Sequence, residues 1–458
     1  MVLQASAPLR GAAVFQALKK IISQSPRLEE FLRFSHYKLS TLSRQPLPPD
    51  LKSLSSERPL AKETRRILVD TTGISTKKIN RGIQRVAINQ LNSITGIADK
   101  RIEIIQVEWD KNGDPVPIKS GIHHQAKSAA GTIASDQLPL HVGPGDVYFT
   151  SNVRLDIPLA SLQRLRAKGL VTYFTVYDLI PLTHPNLVPR TNQIAYTRWL
   201  SEILRVADNL ICISNTVADE VYTWIDTANE PSLSRLGIHY CHLGCDYKPS
   251  AGRKLEEATL ISHHPSGYYL MVGALEPRKS YIETIKSFEI LWSKEFKFDL
   301  VIVGQYAGLG YDTRKAIKSS KFYKNKLFWY SSCSDHELSQ LYKHARCLIA
   351  ASVCEGFGLP IIEAAAHGTP VVARDIPIFR EICADGAFYF KSTSPIEMAG
   401  ILIKWEDLYN SARHPRGSTI KMTTWNNNSE CLIEILSNRA TPYKTVSLDD
   451  NPRETSGS

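Results

Sequence analysis

The stretch CLIAASVCEGFGLPIIEAAAHGTPVVAR, residues 347–374, decides the fold. It opens on an apolar run, CLIAAS (347–352), and closes on a second, PVVAR (370–374). Short apolar runs bounded by Gly and Pro read as buried strands. Between them, Gly356 and Gly358 leave a loop flexible enough to bring backbone N–H groups against a ligand. Pro360 suits a first helical position and Gly368 the cap just past a helix end, so a short helix is expected from about Pro360 to His367. Strand, glycine loop, helix and strand in so short a span is the unit of a parallel sheet with helices on its faces.

The same texture extends to both sides. YYLMVGAL (268–275), FDLVIVG (298–304) and KLFWY (326–330) precede it, with helical stretches between. A polar break, KPSAGRKLEEATLISHHPSG (248–267), separates these from an earlier series. That series runs RRILVD (65–70), RIEIIQV (101–107), GDVYFTS (145–151), VTYFTVYDLI (171–180), NLICIS (209–214) and IHYCH (238–242). Two such series predict an α/β protein of two doubly wound, Rossmann-like domains, 65–250 and 266–436, facing each other across a central cleft. Ligands of such sheets bind outside the carboxyl ends of the strands, so residues just after each strand carry the functional weight.

Residues 1–64 read as an extension. Val14, Phe15, Leu18, Ile21 and Ile22 recur at helical spacing with Lys19 and Lys20 between them. Such a helix either lies on an anionic membrane or packs on the body of the protein. A Pro/Ser-rich linker, LSRQPLPPDLKSLSSERP, follows. The polar tail 439–458 reads as disordered.

A net charge of +10 over 458 residues points to an acidic partner: a phosphorylated substrate, an anionic membrane or nucleic acid. The absence of clustered aromatic-basic motifs or a recognisable module excludes nucleic acid. The eight cysteines are scattered and form no disulfide framework, which places the chain in a reducing compartment. Cys241 and Cys245 flank His242 in CHLGC, but no second ligand pair follows, so they read as buried small residues beside a strand rather than a zinc site. No apolar run reaches membrane-spanning length, and the N-terminus lacks the apolar core of a secretory signal. The expected location is the cytoplasm, with a peripheral place at the inner face of the plasma membrane.

Two strand ends carry candidate site residues. After YYLMVGAL comes EPRKS, where Ser280 and Glu283 have capping-box spacing and predict a helix start at Ser280. Arg278 and Lys279 then sit at a strand-to-helix turn, beside a helix N-terminus that favours anions. A point charge and a guanidinium fork there suit a diphosphate. After CLIAAS, Glu355 lies before the glycine loop, and Glu363 lies in the first turn of the helix or just beyond it. Either carboxylate alone reads as solvated or as a partner of the helix dipole. With the loop and helix start between them, the pair suits the hydroxyls of a sugar and a ribose.

EGFGLPIIEAAAHGTPVVARDIPIFREICADGA (355–387) resembles the signature of glycosyltransferase family 4, the retaining enzymes of GT-B fold. VGALEPRKS (272–280), SDHELSQLYKHA (334–345), ISNTVADEV (213–221) and HLGCD (242–246) are similar to its other segments, and the likeness spans Arg65 to Leu436. The resemblance implies that Glu355 contacts the donor sugar, Glu363 the nucleotide ribose, and Arg278 and Lys279 the diphosphate. Gly273 and the backbone of Phe357, Gly358 and Leu359 would line the donor pocket. Gly82, in VDTTGISTKKINRGIQRV (69–86), would open the first helix and approach the donor phosphates.

Two departures stand out. Many relatives carry His-Asp where this chain has Tyr177-Asp178, in VYDLIPLTHP (176–185). A tyrosine, with an ordinary pKa of about 10, is a poor base near neutrality. The family's front-side mechanism needs none, because a donor phosphate oxygen takes the acceptor's proton. Tyr177, Asp178 and His184 are then acceptor-side contacts, although His184 reads more readily as a structural histidine. The second departure is Ala274, where some relatives place a diphosphate-binding arginine. No Asp-x-Asp triplet follows a strand, so neither a metal nor any cofactor beyond the substrate is expected. DIPIFRE and VYDLIPL resemble segments of mannosyltransferases of O-antigen and exopolysaccharide assembly. The implied reaction takes mannose from GDP-mannose to a glycan or lipid-diphosphate-linked acceptor. A sugar-nucleotide epimerase of the same fold and a catalytically silent sugar-nucleotide-binding subunit are the alternatives.

Overall fold

The computed structural model describes residues 66–74, 82–96, 102–118, 139–228, 235–246, 263–306 and 308–447. The N-terminal extension with Lys19 and Lys20, and most of the break at 248–267, lie outside them.

The first strand series begins with β1 (Arg66–Asp70), α1 (Gly82–Gly96), β2 (Glu103–Trp109), β3 (Pro115–Pro117), β4 (Asp146–Thr150) and α2 (Leu159–Ala167). It continues with β5 (Val171–Val176), α3 (Ile180–Thr183), α4 (Arg190–Leu204), β6 (Asn209–Cys212), α5 (Asn215–Ala228) and β7 (Arg235–Tyr240). The second begins with β8 (Tyr268–Val272), α6 (Tyr281–Trp292), β9 (Asp299–Val303), α7 (Tyr311–Ser319), β10 (Leu327–Tyr330) and α8 (Asp335–His344). Then come β11 (Cys347–Ala350), α9 (Leu359–Ala366), β12 (Val371–Arg374), α10 (Pro377–Cys383), β13 (Ala387–Phe390) and α11 (Pro395–Asn410). Finally, α12 (Trp425–Leu436) and β14 (Lys444–Ser447) return toward the first series.

The second sheet has the order β10-β9-β8-β11-β12-β13 and is parallel throughout. Its strand order reverses between β8 and β11. The first sheet, β14-β7-β6-β5-β4-β1-β2-β3, reverses between β1 and β4. Both are doubly wound, as the alternating strands and helices predicted. Helices on both faces explain why β4 and β9 are buried at every residue. The carboxyl ends of the two sheets face each other. The Ser214 hydroxyl, after β6, donates to the Gly356 carbonyl, after β11, at 2.9 Å.

Two expectations about the C-terminus need correction. The segment after Asn438 is not disordered throughout: Lys444–Ser447 forms β14, antiparallel to β7. A free sheet edge offers unpaired backbone groups, and the alternation of Thr445 and Val446 in KTVS suits that pairing. Nor does the second domain end at 436. Leu432, Ile433 and Leu436 of α12 share one core cluster with Ile67, Val69, Leu91 and Ile94 of the first domain. Helical periodicity reveals an apolar face but not the sheet that covers it. Two strands also escaped the sequence reading: β13, and the proline-bounded edge strand β3, which donates few ladder bonds.

Candidate active site

After β8 the chain turns at Gly273, whose φ of +141° is accessible to glycine at little cost. The Gly273 carbonyl accepts from the Tyr281 hydroxyl at 2.7 Å and crosses β9's end so closely that a Cβ on Gly304 would stand 1.8 Å from it. Pro277–Lys279 make one 3-10 turn, and α6 begins at Tyr281 with Ser280 as its N-cap residue, at the point the sequence marked. The capping box does not form. Ser280 adopts φ 52°, ψ 39°, which turns its side chain from the helix amides, and its Oγ lies 3.4 Å from Arg374 Nη2 instead. The Lys279 stem folds over Gly273, so that a Cβ there would meet its Cε at 3.2 Å.

Across the strand reversal, β11 delivers Glu355 to the same point. Arg278 Nη1 lies 2.6 Å from one carboxylate oxygen, Lys279 donates to the other, and the Ser352 hydroxyl donates to that second oxygen at 2.8 Å. Arg278 also donates from Nε to Glu276 at 2.7 Å. Burial opposes the Glu355 charge, yet the Arg278 and Lys279 charges hold its carboxyl down at about 2. Lys279, Ser352, Glu355, Gly358 and Ile361 help line a cavity of about 20 Å³ between β8 and β11, room for a single water. Beneath the turn, Arg374 is 4% exposed and donates to the carbonyls of Ala351 and Ser392, each at 2.8 Å. It ties the loop after β11 to the turn after β8. The sequence gives no hint of this, since a basic residue at a strand end reads as exposed.

Helix α9 runs from Leu359 with Pro360 in its first turn, one residue earlier than expected, and Gly368 follows its C-cap at φ 71°. Gly358 caps its start at φ 105°, where a Cβ would come within 3.0 Å of the Phe379 ring. Glu363 lies just beyond the first turn. It accepts from the Tyr342 hydroxyl at 2.8 Å and pairs with Arg85 of α1, across the domains. Sequence reasoning missed Arg85, although it stands one turn after Gly82. Gly82 itself begins α1, as expected, with open space where a Cβ would be. Phe357 is buried, its ring 5.7 Å from that of His242. Leu359 is half-buried at the start of α9.

The acceptor-side expectations fare unevenly. Tyr177 is 5% exposed, and its hydroxyl donates to the Ser151 carbonyl at 2.7 Å, so the phenol is committed to the core of its own domain. The rigid reach of the ring explains the difference: at the end of β5 it points inward. The Tyr177 carbonyl instead abuts Gly356, where a Cβ would stand 2.0 Å away. Asp178 lies at the interface, accepting from the Ile180 amide at 3.0 Å, and a Cβ on Gly356 would meet its own Cβ at 3.1 Å. Burial pushes its carboxyl up, against the pull of Arg278. His184 is half-buried and its Nδ1 lies 2.9 Å from the Thr183 hydroxyl. Among the described residues no three His, Cys, Asp or Glu side chains group to hold a metal ion. Cys241 is buried just after β7, and Cys245 is half-buried.

Two facing doubly wound sheets, with paired cations and a carboxylate at one strand reversal, define the GT-B architecture. Residues 256–422 match the family model described as glycosyl transferases group 1, so the chain carries a domain of that family. The relatives it resembles include mannosyltransferases. The serotype-specific mannosyltransferase WbdA of Escherichia coli is 31% identical over 383 residues, covering 81% of this chain and 46% of WbdA. The O-antigen chain mannosyltransferase RfbU of Salmonella typhimurium is 29% identical over 216 residues, covering 47% of this chain and 55% of RfbU. The chain spans about half the length of these curated relatives. Among solved structures, trehalose-6-phosphate synthase OtsA superposes with a TM-score of 0.55 at 12% identity, covering 83% of this chain and all of that one. A related structure from E. coli, bound with UDP-2-fluoro glucose, also gives 0.55 at 13% identity, covering 82% of this chain and all of that one. These last two speak for the fold alone.

Proposed function

We propose that the chain is a retaining hexosyltransferase of surface-polysaccharide assembly. It takes mannose from GDP-mannose to a glycan or lipid-diphosphate-linked acceptor. The observation that carries this reading is the convergence of Arg278, Lys279 and Glu355 at the reversal of the second sheet. Two cations held a few ångströms apart match the charge that develops on a leaving nucleoside diphosphate. Glu355, kept ionised, accepts from the sugar's hydroxyls and orients the ring, while Glu363 takes the ribose hydroxyls in exchange for Arg85. On the front-side route a donor phosphate oxygen removes the acceptor's proton, so the burial of the Tyr177 hydroxyl costs nothing. The protein's share is positioning and electrostatic stabilisation. The names of WbdA and RfbU support mannose as the transferred sugar.

Peripheral contact with an anionic membrane completes the reading. Arg314, Lys315, Lys318, Lys321 and Lys324 are all exposed on and after α7, and Tyr311 beside them is 59% exposed. Cations beside an exposed aromatic suit a headgroup layer. The first experiment is a thermal-shift panel of GDP-, UDP- and ADP-sugars. A ligand selective for the native state raises the melting point by mass action. GDP-mannose should give the largest rise, followed by mannosyl transfer to an acceptor with retention at the anomeric carbon. A panel without any rise, or a rise confined to UDP- or ADP-sugars, would remove GDP-mannose from the reading.

A further inference from the structure

Three segments singled out by their family resemblance hold no part of the donor as described above: ISNTVADEV (213–221), HLGCD (242–246) and DIPIFRE (375–381). In the folded chain they meet at one carboxylate. Glu381, on α10 of the second domain, reaches across to the N-terminus of α5 in the first. One oxygen accepts from the Asn215 amide at 2.7 Å and from His242 Nε2 at 2.6 Å. The other accepts from the Thr216 amide at 2.8 Å and the Thr216 hydroxyl at 2.6 Å. Each oxygen thus receives two donors, which fills a carboxylate's capacity. The two amides belong to the first turn of α5, where no intrahelical carbonyl reaches and the helix dipole favours an anion. Burial opposes the charge on Glu381, but these donors outweigh it and hold its carboxyl below the usual range.

The contact also reaches the donor-site loop. Phe379 and Ile382, flanking Glu381 on α10, lie against Gly358: a Cβ there would meet them at 3.0 and 3.2 Å. Ser214, fully buried just before α5, donates to the Gly356 carbonyl and accepts from the Val217 amide at 3.1 Å. The His242 ring, which serves Glu381, also lies beside Phe357. One turn of the first domain therefore grips both the glycine loop and the helix packed behind it.

We propose that Glu381 is a positioning residue: it latches the two domains shut through the Asn215–Thr216 turn, and so fixes the loop that carries Glu355. The kinetic part rests on the transferase reading above; the latch itself does not. Two variants test it, Glu381→Ala and Thr216→Val, by hydrogen exchange on the full chain and by steady-state kinetics. In Glu381→Ala the amides of Asn215 and Thr216 should exchange about tenfold or more faster, while central-strand amides such as Leu210 and Leu348 keep their protection. Turnover should fall about tenfold or more with donor KM changed less than about threefold, since a misplaced loop costs rate rather than ground-state binding. Thr216→Val, losing one of the four bonds, should shift both readouts the same way by less. Unchanged exchange at both amides would overturn the latch. So would a loss of protection throughout both sheets in Glu381→Ala together with unaltered exchange and kcat in Thr216→Val, which would make Glu381 a structural cap. If wild-type protein transfers no sugar, the transferase reading fails and the exchange data alone decide the latch.

Discussion

Glu355 and Glu363 were legible as a pair from their spacing around two glycines, but their partners were not. The sequence put Arg278 and Lys279 opposite a diphosphate; the fold also puts them on Glu355. No spacing rule joins residues 76 and 77 positions apart. With Glu276 on Arg278 the two cations and two carboxylates balance, and that settles the sign of a substitution. Glu355→Gln keeps the shape and removes the shared counter-charge, leaving the mostly buried Lys279 without its carboxylate and Arg278 with Glu276 alone. It should lower unfolding free energy by about 3 kcal/mol, read by urea denaturation. The same variant should bind inorganic pyrophosphate severalfold more tightly, read by calorimetry, because the competing carboxylate is gone. Turnover should nonetheless fall about a hundredfold as sugar orientation is lost. Weaker pyrophosphate binding with normal turnover would mean that these cations do not face the donor. Glu220 offers an independent check on pH. Burial, aided by the Asp178 charge, pushes its carboxyl up to about 7. A raised carboxyl is neutral in the fold between its unfolded value near 4.3 and 7, so its charge penalises the fold increasingly across that window and fully above it. Glu220→Gln should therefore match wild-type stability near pH 4 and exceed it at pH 8, by on the order of 1 kcal/mol after allowing for its partial exposure. Melting curves at the two pH values decide this, and a pH-independent difference would count against it.

Among the elements, the strands were the most legible because continuous apolar runs with β-branched residues leave few alternatives. The Pro360 and Gly368 punctuation set α9 to within a residue. What failed was assignment of elements to partners, as with α12 and β14, because amphipathicity carries no address. The Ser280 capping box failed for a related reason: a 3-10 turn upstream imposed a left-handed backbone that the local pattern does not encode. Two glycines separate contacts within an element pair from contacts between domains. A Cβ on Gly304 would stand 1.8 Å from the Gly273 carbonyl inside the second sheet, whereas a Cβ on Gly356 would stand 2.0 Å from the Tyr177 carbonyl across the interface. The first clash has nowhere to go, and the second is relieved if the domains part. Gly304→Ala should cost about 3 kcal/mol or more in unfolding free energy. Gly356→Ala should leave each domain folded, enlarge the radius of gyration in solution scattering and reduce turnover about a hundredfold. Equal melting behaviour in the two variants would contradict this placement of the interface.

At the scale of the whole molecule, two facing domains and a surplus of positive charge were legible in the sequence, but not where that charge gathers. Between Tyr311 and Lys326 the chain carries six basic residues and one acidic one, Asp312. Five of the six basic residues are exposed. The loop before α7 starts at the carboxyl end of β9, on the cleft side of the sheet, and the isolated pairing of Leu275 with Tyr306 ties it to the turn after β8. Helix α7 then runs back from that end, so Lys318 to Lys324 lie toward the amino ends of β9 and β10: Ser320 donates to Glu289 near the end of α6, and Lys326 to the Lys297 carbonyl just before β9. Each basic residue near an anionic surface contributes about 1 kcal/mol. The triple variant Lys315→Glu/Lys318→Glu/Lys321→Glu should therefore weaken binding to phosphatidylglycerol-containing vesicles by about a hundredfold or more at low salt. Binding of the wild type should fall steeply as salt screens the surface. Neutral phosphatidylcholine vesicles provide the control, and co-sedimentation reads both. If Lys19→Glu/Lys20→Glu abolishes binding while the triple variant does not, the membrane contact belongs to the N-terminal extension. If the wild type itself shows no binding to anionic vesicles over neutral ones, the acceptor reaches this cleft from solution, and a soluble glycan replaces the lipid-linked one as the expected substrate.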